Sequence, residues 1–230
     1  MNVVILIILA IGAVVVWKKL TKTSAPAASC VNSGVQGSND TLNKRTAFLE
    51  DIPSDSEAER TGISFENPSC LSYINKLNGD GNHVDAVRWV NKALSLSPPF
   101  DFEIVLRRNR IVALGEMFNI GRTGARRNLN FCIATERVVR DYEAIIGLYV
   151  TNEEDLRRRN DCDFFVETFE VALDKLIPIG CLYSAYQNDD GSYGNYEGGF
   201  PGKWKIDFVS EPKNALSVNG KIYPQYKLPK

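Results

Sequence analysis

Residues 1–17 form an uncharged apolar run, Val3, Ile5, Leu6, Ile8 and Leu9 among them, that stops abruptly at Lys18 and Lys19. A helix rises about 1.5 Å per residue, so the run predicts a rod of roughly 25 Å, the short end of what crosses a hydrocarbon core. Trp17 suits the headgroup layer, and the two lysines can reach past it into water. A secretory leader carries its basic residues before the apolar stretch. Here Lys18, Lys19 and Lys22 follow it, and they separate it from the small residues Ala25, Pro26, Ala27 and Ala28. A cleaved leader and a buried core helix are the alternatives; the expectation is an uncleaved transmembrane anchor over residues 1–19. Lysines on its C-terminal flank favour the cytosolic side for the rest of the chain, with the N-terminus translocated.

The thiols are compatible with that side. Cys30, Cys70, Cys132, Cys162 and Cys181 are an odd set without a C-x-x-C pair, unlike the dense framework of a small secreted scaffold. A formal net charge of −1 gives no gross electrostatic pull toward nucleic acid or anionic lipid. Asn39-Asp40-Thr41 is a glycosylation sequon that is silent on a cytosolic face.

Residues 20–66 read as a linker and extended arm. The first half is rich in Ser, Ala, Asn and Gly; the second is charged, with isolated apolar positions at Leu42, Phe48, Leu49, Ile52, Ile63 and Phe65. Such a segment either moves freely or lies along another surface through those few side chains. Residues 67–180 read as a small helical bundle. Val84, Val87, Val90 and Leu94 share one face of a helix over 82–97, stopped by Pro98 and Pro99. Two more helices are predicted over 102–119 and 124–150. A fourth, over 151–177, opens on a capping box of Thr151 with Glu154 and stops before Pro178. The fold class is therefore mainly α. Residues 181–230 form an aromatic and Gly-rich tail. Alternation over 203–209 predicts a strand, and Asn219-Gly220 between short apolar runs predicts a hairpin, since both residues accept positive φ. Pro224 and Pro229 are expected to end this short antiparallel element.

Catalytic signals are weak. His83 is the sole histidine and falls at a helix start, as a solvated first-turn residue would. Cys162 lies between Asp161 and Asp163, whose charges oppose thiolate formation, and Cys132 and Cys181 read as small core residues. Asn188, Asp190, Gly191 and Glu197 echo a calcium loop, but Tyr186 occupies its first place. No P-loop or dinucleotide fingerprint occurs. The expectation is no catalytic residue, no metal and no cofactor, hence no enzyme.

Arginine is the remaining signal. Arg107, Arg108 and Arg110 form one group, Arg122, Arg126 and Arg127 a second, and Arg157, Arg158 and Arg159 a third. Interspersed carboxylates allow salt-bridged helix faces, and a planar guanidinium also suits phosphate. The preferred reading is contact with other proteins, where Arg and Tyr are enriched, with Tyr193 and Tyr196 of the tail as further candidates.

A short anchor with a lysine stop, a long arm, a helical domain and a tyrosine-rich tail resemble, as a layout, the membrane-anchored minor capsid proteins of large icosahedral DNA viruses that enclose an internal membrane. The resemblance is architectural and covers residues 1–22 and the arm after them. It implies a structural protein that tethers or cements a protein lattice to a membrane, with capsid proteins as partners and a place in the virion between internal membrane and shell. Two rivals are a membrane-bound adaptor that binds nucleic acid through the arginines, and an enzyme using groups such as Asp189, Asp190 or Tyr193.

Overall fold

A computed structural model describes residues 46–125, 127–183, 185–187, 192–195 and 203–228. The expected anchor over 1–19, with Arg126 and Tyr196, lies outside the described residues. Among the described residues no helix is long and apolar enough to cross a membrane.

The described chain begins with a 3-10 turn at Ala47–Leu49, followed by α1 (Asp55–Thr61), α2 (Cys70–Gly79), α3 (His83–Ser95), α4 (Phe100–Phe118), α5 (Leu129–Thr151), α6 (Glu153–Arg157) and α7 (Cys162–Tyr183). Five short strands follow: β1 (Ala185–Gln187), β2 (Tyr193–Asn195), β3 (Ile206–Val209), β4 (Ala215–Val218) and β5 (Lys221–Lys227). The molecule is mainly helical with a C-terminal three-stranded antiparallel sheet, as the patterning predicts.

Helix α5 is the axis of the bundle. Asn128 caps it by accepting from the Phe131 amide at 2.9 Å, which satisfies one of the amides that a helix start leaves open. From Phe131 to Val150 it is buried on nearly every side, because α4 and α7 pack along it and β1 and β3 touch it as well. Tyr149 stacks on Phe169 of α7 with ring centres 4.3 Å apart. Helix α3 packs on α2 and α4 through Ala86, Val87, Val90 and Ala93, all fully buried.

Four expectations change or narrow. First, of the two courses open to the arm over 20–66, its described part from Thr46 lies along the bundle. Leu49 and Phe65 are buried and Phe48 and Ile63 partly so, so two of the isolated apolar residues of the arm seat fully in the core while Ile52 stays half exposed. Phe65 stacks on Trp89 of α3 at 4.6 Å. Within this stretch Ser54 caps α1 by accepting from the Glu57 amide at 3.2 Å.

Second, Thr151 ends α5 instead of opening a helix. The predicted helix over 151–177 is divided into α6 and α7, because residues 157–161 are all charged or polar and only Leu156 nearby is fully buried. Third, Pro178 lies inside α7. A proline there removes a single backbone hydrogen bond, and the burial of Ile179 and Leu182 against the core draws the helix past it.

Fourth, Pro224 lies within β5. The sheet order is β3-β4-β5, which puts β5 on an edge, and the ladder shifts register between Ala215 and Leu216, pairing Leu216 with Tyr223 but Ala215 with Lys227. Edge strands and bulges are where a residue without an N–H is tolerated. The Asn219-Gly220 turn behaves as predicted, with φ of 51° and 83° and Val218 paired with Lys221. Just before β3, Trp204 lies flat on α5. A Cβ at Gly147 would meet its ring at 2.2 Å, so only glycine allows that approach.

Candidate functional site: an ionic clamp and an arginine-lined groove

Asp141 of α5 is fully buried, a costly place for a charge unless it is paired. Arg110 of α4 answers it with two parallel bonds, Nε to Oδ2 at 2.8 Å and Nη2 to Oδ1 at 2.6 Å. Arg107, one turn earlier, donates to Oδ1 at 2.8 Å and is itself held by Glu103 at 2.6 Å. Burial alone would raise the Asp141 carboxyl; the charge and hydrogen bonds of Arg110, with the charges of Arg107 and Arg137, outweigh it and hold the group below the usual carboxylate range.

The network continues to the start of the described chain. The other arm of Arg110 donates to Asn91 Oδ1 at 2.5 Å. Asn91, buried on α3, then donates through Nδ2 to the carbonyls of Leu49 and Asp51, each at 3.0 Å. Outside this polar spine, Arg88 pairs with Asp51, Glu57 and Asp85, Lys92 with Asp55 and Arg137 with Glu50. Residues 48–51 are thus a strap, fastened to α3 and α5 by the Asn91 bonds and two ion pairs, and to α4 through the buried relay.

The other predicted interaction residues are dispersed. Arg108 lies half buried, donating to Thr168 Oγ1 at 3.1 Å with its guanidinium 4.7 Å from the centre of the Phe164 ring; burial lowers its affinity for protons. Arg127 is exposed, and its carbonyl accepts from the Gln187 amide at 2.7 Å, which ties β1 to the α4–α5 connection. Arg157 pairs with Glu153, Arg158 with Glu154 and Asp155, and Arg159 with Asp101 and Asp161. Tyr193 contributes backbone to the β1–β2 ladder. Of the first and third groups, Arg108 and Arg159 cover the adjacent rings of Phe164 and Phe165, while Arg107 and Arg110 turn to Asp141.

The structure does bring Arg107 and Arg110 together with residues that the sequence did not single out. A cavity of about 130 Å³ opens between α4, α5 and the Lys203–Trp204 segment, walled by Arg107, Arg110, Arg137, Arg140, Asp141 and Glu143. A second, of about 200 Å³, adjoins it through the shared Arg137 and Arg140 and is lined also by Leu49 and Glu50 of the strap. Glu143 is 7% exposed, and its Oε2 has no hydrogen-bond partner among the described residues; nor has the buried Trp204 Nε1. Burial, opposed by the charge of Arg140, pushes the Glu143 carboxyl up to about 7. Arg107 and Arg110, with the spacing of Arg137 and Arg140 along one helix, are the sequence signals for this groove, and they are silent about Trp204.

Cys70 and Cys132 are buried thiols, pushed up to about 12 and about 11 by burial. Cys181 is exposed, against the expectation of a core position, because it faces out from the last turns of α7. Cys162 starts α7 with its sulfur 3.6 Å from Asp163 Oδ1, and His83 Nδ1 lies 3.2 Å from Asn78 Oδ1. Among the described residues no group of three or more His, Cys, Asp or Glu side chains could hold a metal ion. The calcium-loop echo over 186–197 falls largely outside the described residues, as does Asp189.

Fold and site together define a helical bundle with a small flanking sheet, whose N-terminal strap is ionically fastened to its core. Comparison with protein-family models, curated proteins and solved structures found no match to this chain.

Proposed function

We propose that the chain is a non-enzymatic structural protein, anchored in a membrane by residues 1–19, that tethers a protein lattice such as a viral capsid shell to that membrane. In this reading the bundle lies on the cytosolic side, within reach of lattice proteins. The observation that carries it is the strap. A tether transmits force only if the chain that leads to its anchor is fixed to its body, and residues 48–51, near the start of the described residues, are held by Asn91, Arg88 and Arg137. The relay through Arg110 to Asp141 extends that hold to the central helix. Supporting it further, the groups at 107–108 and 157–159 are engaged with carboxylates, hydroxyls and rings of the same chain, which leaves less cationic surface for a phosphate backbone than the sequence suggests.

The test is flotation of the full chain with lipid vesicles, followed by cross-linking mass spectrometry on material from the native source. The expected result is co-flotation that survives high salt, and cross-links from lysines such as Lys76, Lys213 and Lys227 to an abundant lattice-forming neighbour. A chain that stays with the soluble fraction and cross-links to nothing would overturn the reading. Steeply salt-dependent capture on DNA would replace it with the nucleic-acid adaptor.

A further inference from the structure

The Trp204 ring covers α5 where Gly147 leaves room for it, a Cβ there meeting the ring at 2.2 Å. Glu143 lies one turn earlier on the same face of the helix. It is 7% exposed, and its Oε2 is buried with no hydrogen-bond partner among the described residues. The Trp204 Nε1 is buried and equally unmet, and groups left so are costly. Both residues wall the cavity of about 130 Å³, two sides of which are helices packed into the core. The remaining side is the Lys203–Trp204 segment. Just behind it Lys205 is pinned to the hairpin turn: its amide donates to Asn219 Oδ1, and its carbonyl accepts from the Asn219 amide, each at 2.8 Å. Lys205 is therefore a natural pivot, and lifting the ring about it would give water to both unmet atoms.

Most charges around Glu143 are engaged elsewhere. From α4, Arg107 and Arg110 are held by Asp141 of α5. On α5 itself, Arg137 pairs with Glu50 and Arg140 with Glu136. Lys203 is exposed, its ammonium 5.6 Å from the centre of the Trp204 ring. Asp174 of α7 pairs with Lys175, and Asp207 of β3 is exposed. The charge that bears on Glu143 is that of Arg140, and burial outweighs it, which raises the carboxyl from 4.5 to about 7. Under a lifted ring, water would return the group to its ordinary range. The ratio of lifted to seated chains therefore rises with pH between those two values and levels off above them.

We propose that the Lys203–Trp204 segment is a proton-gated flap, seated on α5 while Glu143 is protonated and lifted about Lys205 when Glu143 ionises. Lifting bares the strip of α5 between Glu143 and Gly147, so acid covers this wall of the groove and neutral pH opens it. The step moves one proton from the Glu143 carboxyl to water and breaks no other covalent bond. It is independent of the tether reading.

The experiment is hydroxyl-radical footprinting of the full chain in a neutral detergent, at a series of pH values from about 5 to about 8 that spans the rise of the Glu143 carboxyl. Oxidation of Trp204 is read by mass spectrometry, with an added peptide as dosimeter. Trp89, 4% exposed and packed against Phe65 and Tyr73, is the buried reference. Trp204 oxidation is expected to rise at least roughly threefold with pH and then level off, while Trp89 stays protected. Glu143→Gln keeps the shape of the protonated group and cannot ionise, so it should hold Trp204 protected throughout. Gly147→Ala puts a methyl where the ring sits and should leave Trp204 oxidised throughout. Lys203→Gln should keep the pH response; its loss there would assign the movement to Lys203 and overturn the proposal. Circular dichroism establishes that each variant is folded, and if Gly147→Ala unfolds, the other two variants decide. Trp204 oxidation that is flat or falls with pH in the unaltered chain, or that rises unchanged in Glu143→Gln, would likewise overturn it.

Discussion

Arg110 and Arg158 are the same side chain in a similar setting of sequence, each within a short arginine group on a charged stretch. In the fold they stand at opposite extremes. The side chain of Arg110 is 5% exposed and spends its donors on a buried carboxylate and a buried amide; that of Arg158 is 68% exposed and pairs with carboxylates that are more exposed still. Coulomb attraction between exposed charges is weakened by water and salt, whereas a buried pair is expensive to break because the surviving partner is left unsolvated. The difference teaches that clustering in sequence does not say which way arginines face. The first group braces the bundle from inside, and the third stays on its rim.

The largest test of that contrast is Asp141→Ala, which leaves Arg110 buried without its carboxylate and Arg107 with Glu103 alone. Its expected cost is about 3–5 kcal/mol, measured as a lowered urea midpoint of the full chain; an effect as small as that of a surface change would break the comparison.

Next comes pH, where two buried carboxyls act in opposite directions. Asp141 is held below its ordinary range, so the stability it supplies is present at neutral pH and is lost only as pH falls through its lowered value. Glu143 is raised from 4.5 to about 7, so the folded state holds the proton more tightly than the unfolded chain. Stability therefore falls as pH rises between those values, by about 3 kcal/mol at most, and levels off above them. Glu143→Gln should flatten that decline and leave the acid limb intact, as followed by denaturation at a series of pH values.

Asn91→Ala leaves strap carbonyls and one arm of Arg110 without their partner. The expected loss is about 1–3 kcal/mol, with proteolytic nicking within 46–55 as an independent readout. The smallest effect belongs to Arg158→Gln, which should shift stability by no more than about 0.5 kcal/mol, a shift that shrinks in high salt.

What the sequence discloses follows the range of the forces involved. Helices α3 and α5 are legible because apolar side chains recur at helical spacing, and the Asn219-Gly220 hairpin because its turn chemistry is local. The division of α6 from α7 is harder to read, since Thr151 with Glu154 imitates a helix start while the decisive fact is that residues 157–161 have nothing to pack. Pro224 misleads for a related reason: whether a proline ends a strand depends on whether that strand is an edge, and the sheet order is not local information. Asp141 is the extreme case. It lies in the string Arg140, Asp141, Tyr142, Glu143, where nothing marks one charge as buried, and its partners stand 31 and 34 residues away. The groove is hidden likewise, because Trp204 reaches α5 only through the absence of a side chain at Gly147.

The most direct test of the strap's attachment is amide hydrogen exchange on the full chain in a lipid bilayer, followed at Glu50 and Asp51, whose amides bond to Ala47 and Phe48 at 3.2 Å. If the strap is clamped to the bundle, these two amides should exchange nearly as slowly as the body of α3, and Asn91→Ala should accelerate them while the middle of α5 stays protected. Exchange of Glu50 and Asp51 at the unprotected rate in the unaltered chain would contradict the clamp, and with it the observation on which the tether rests.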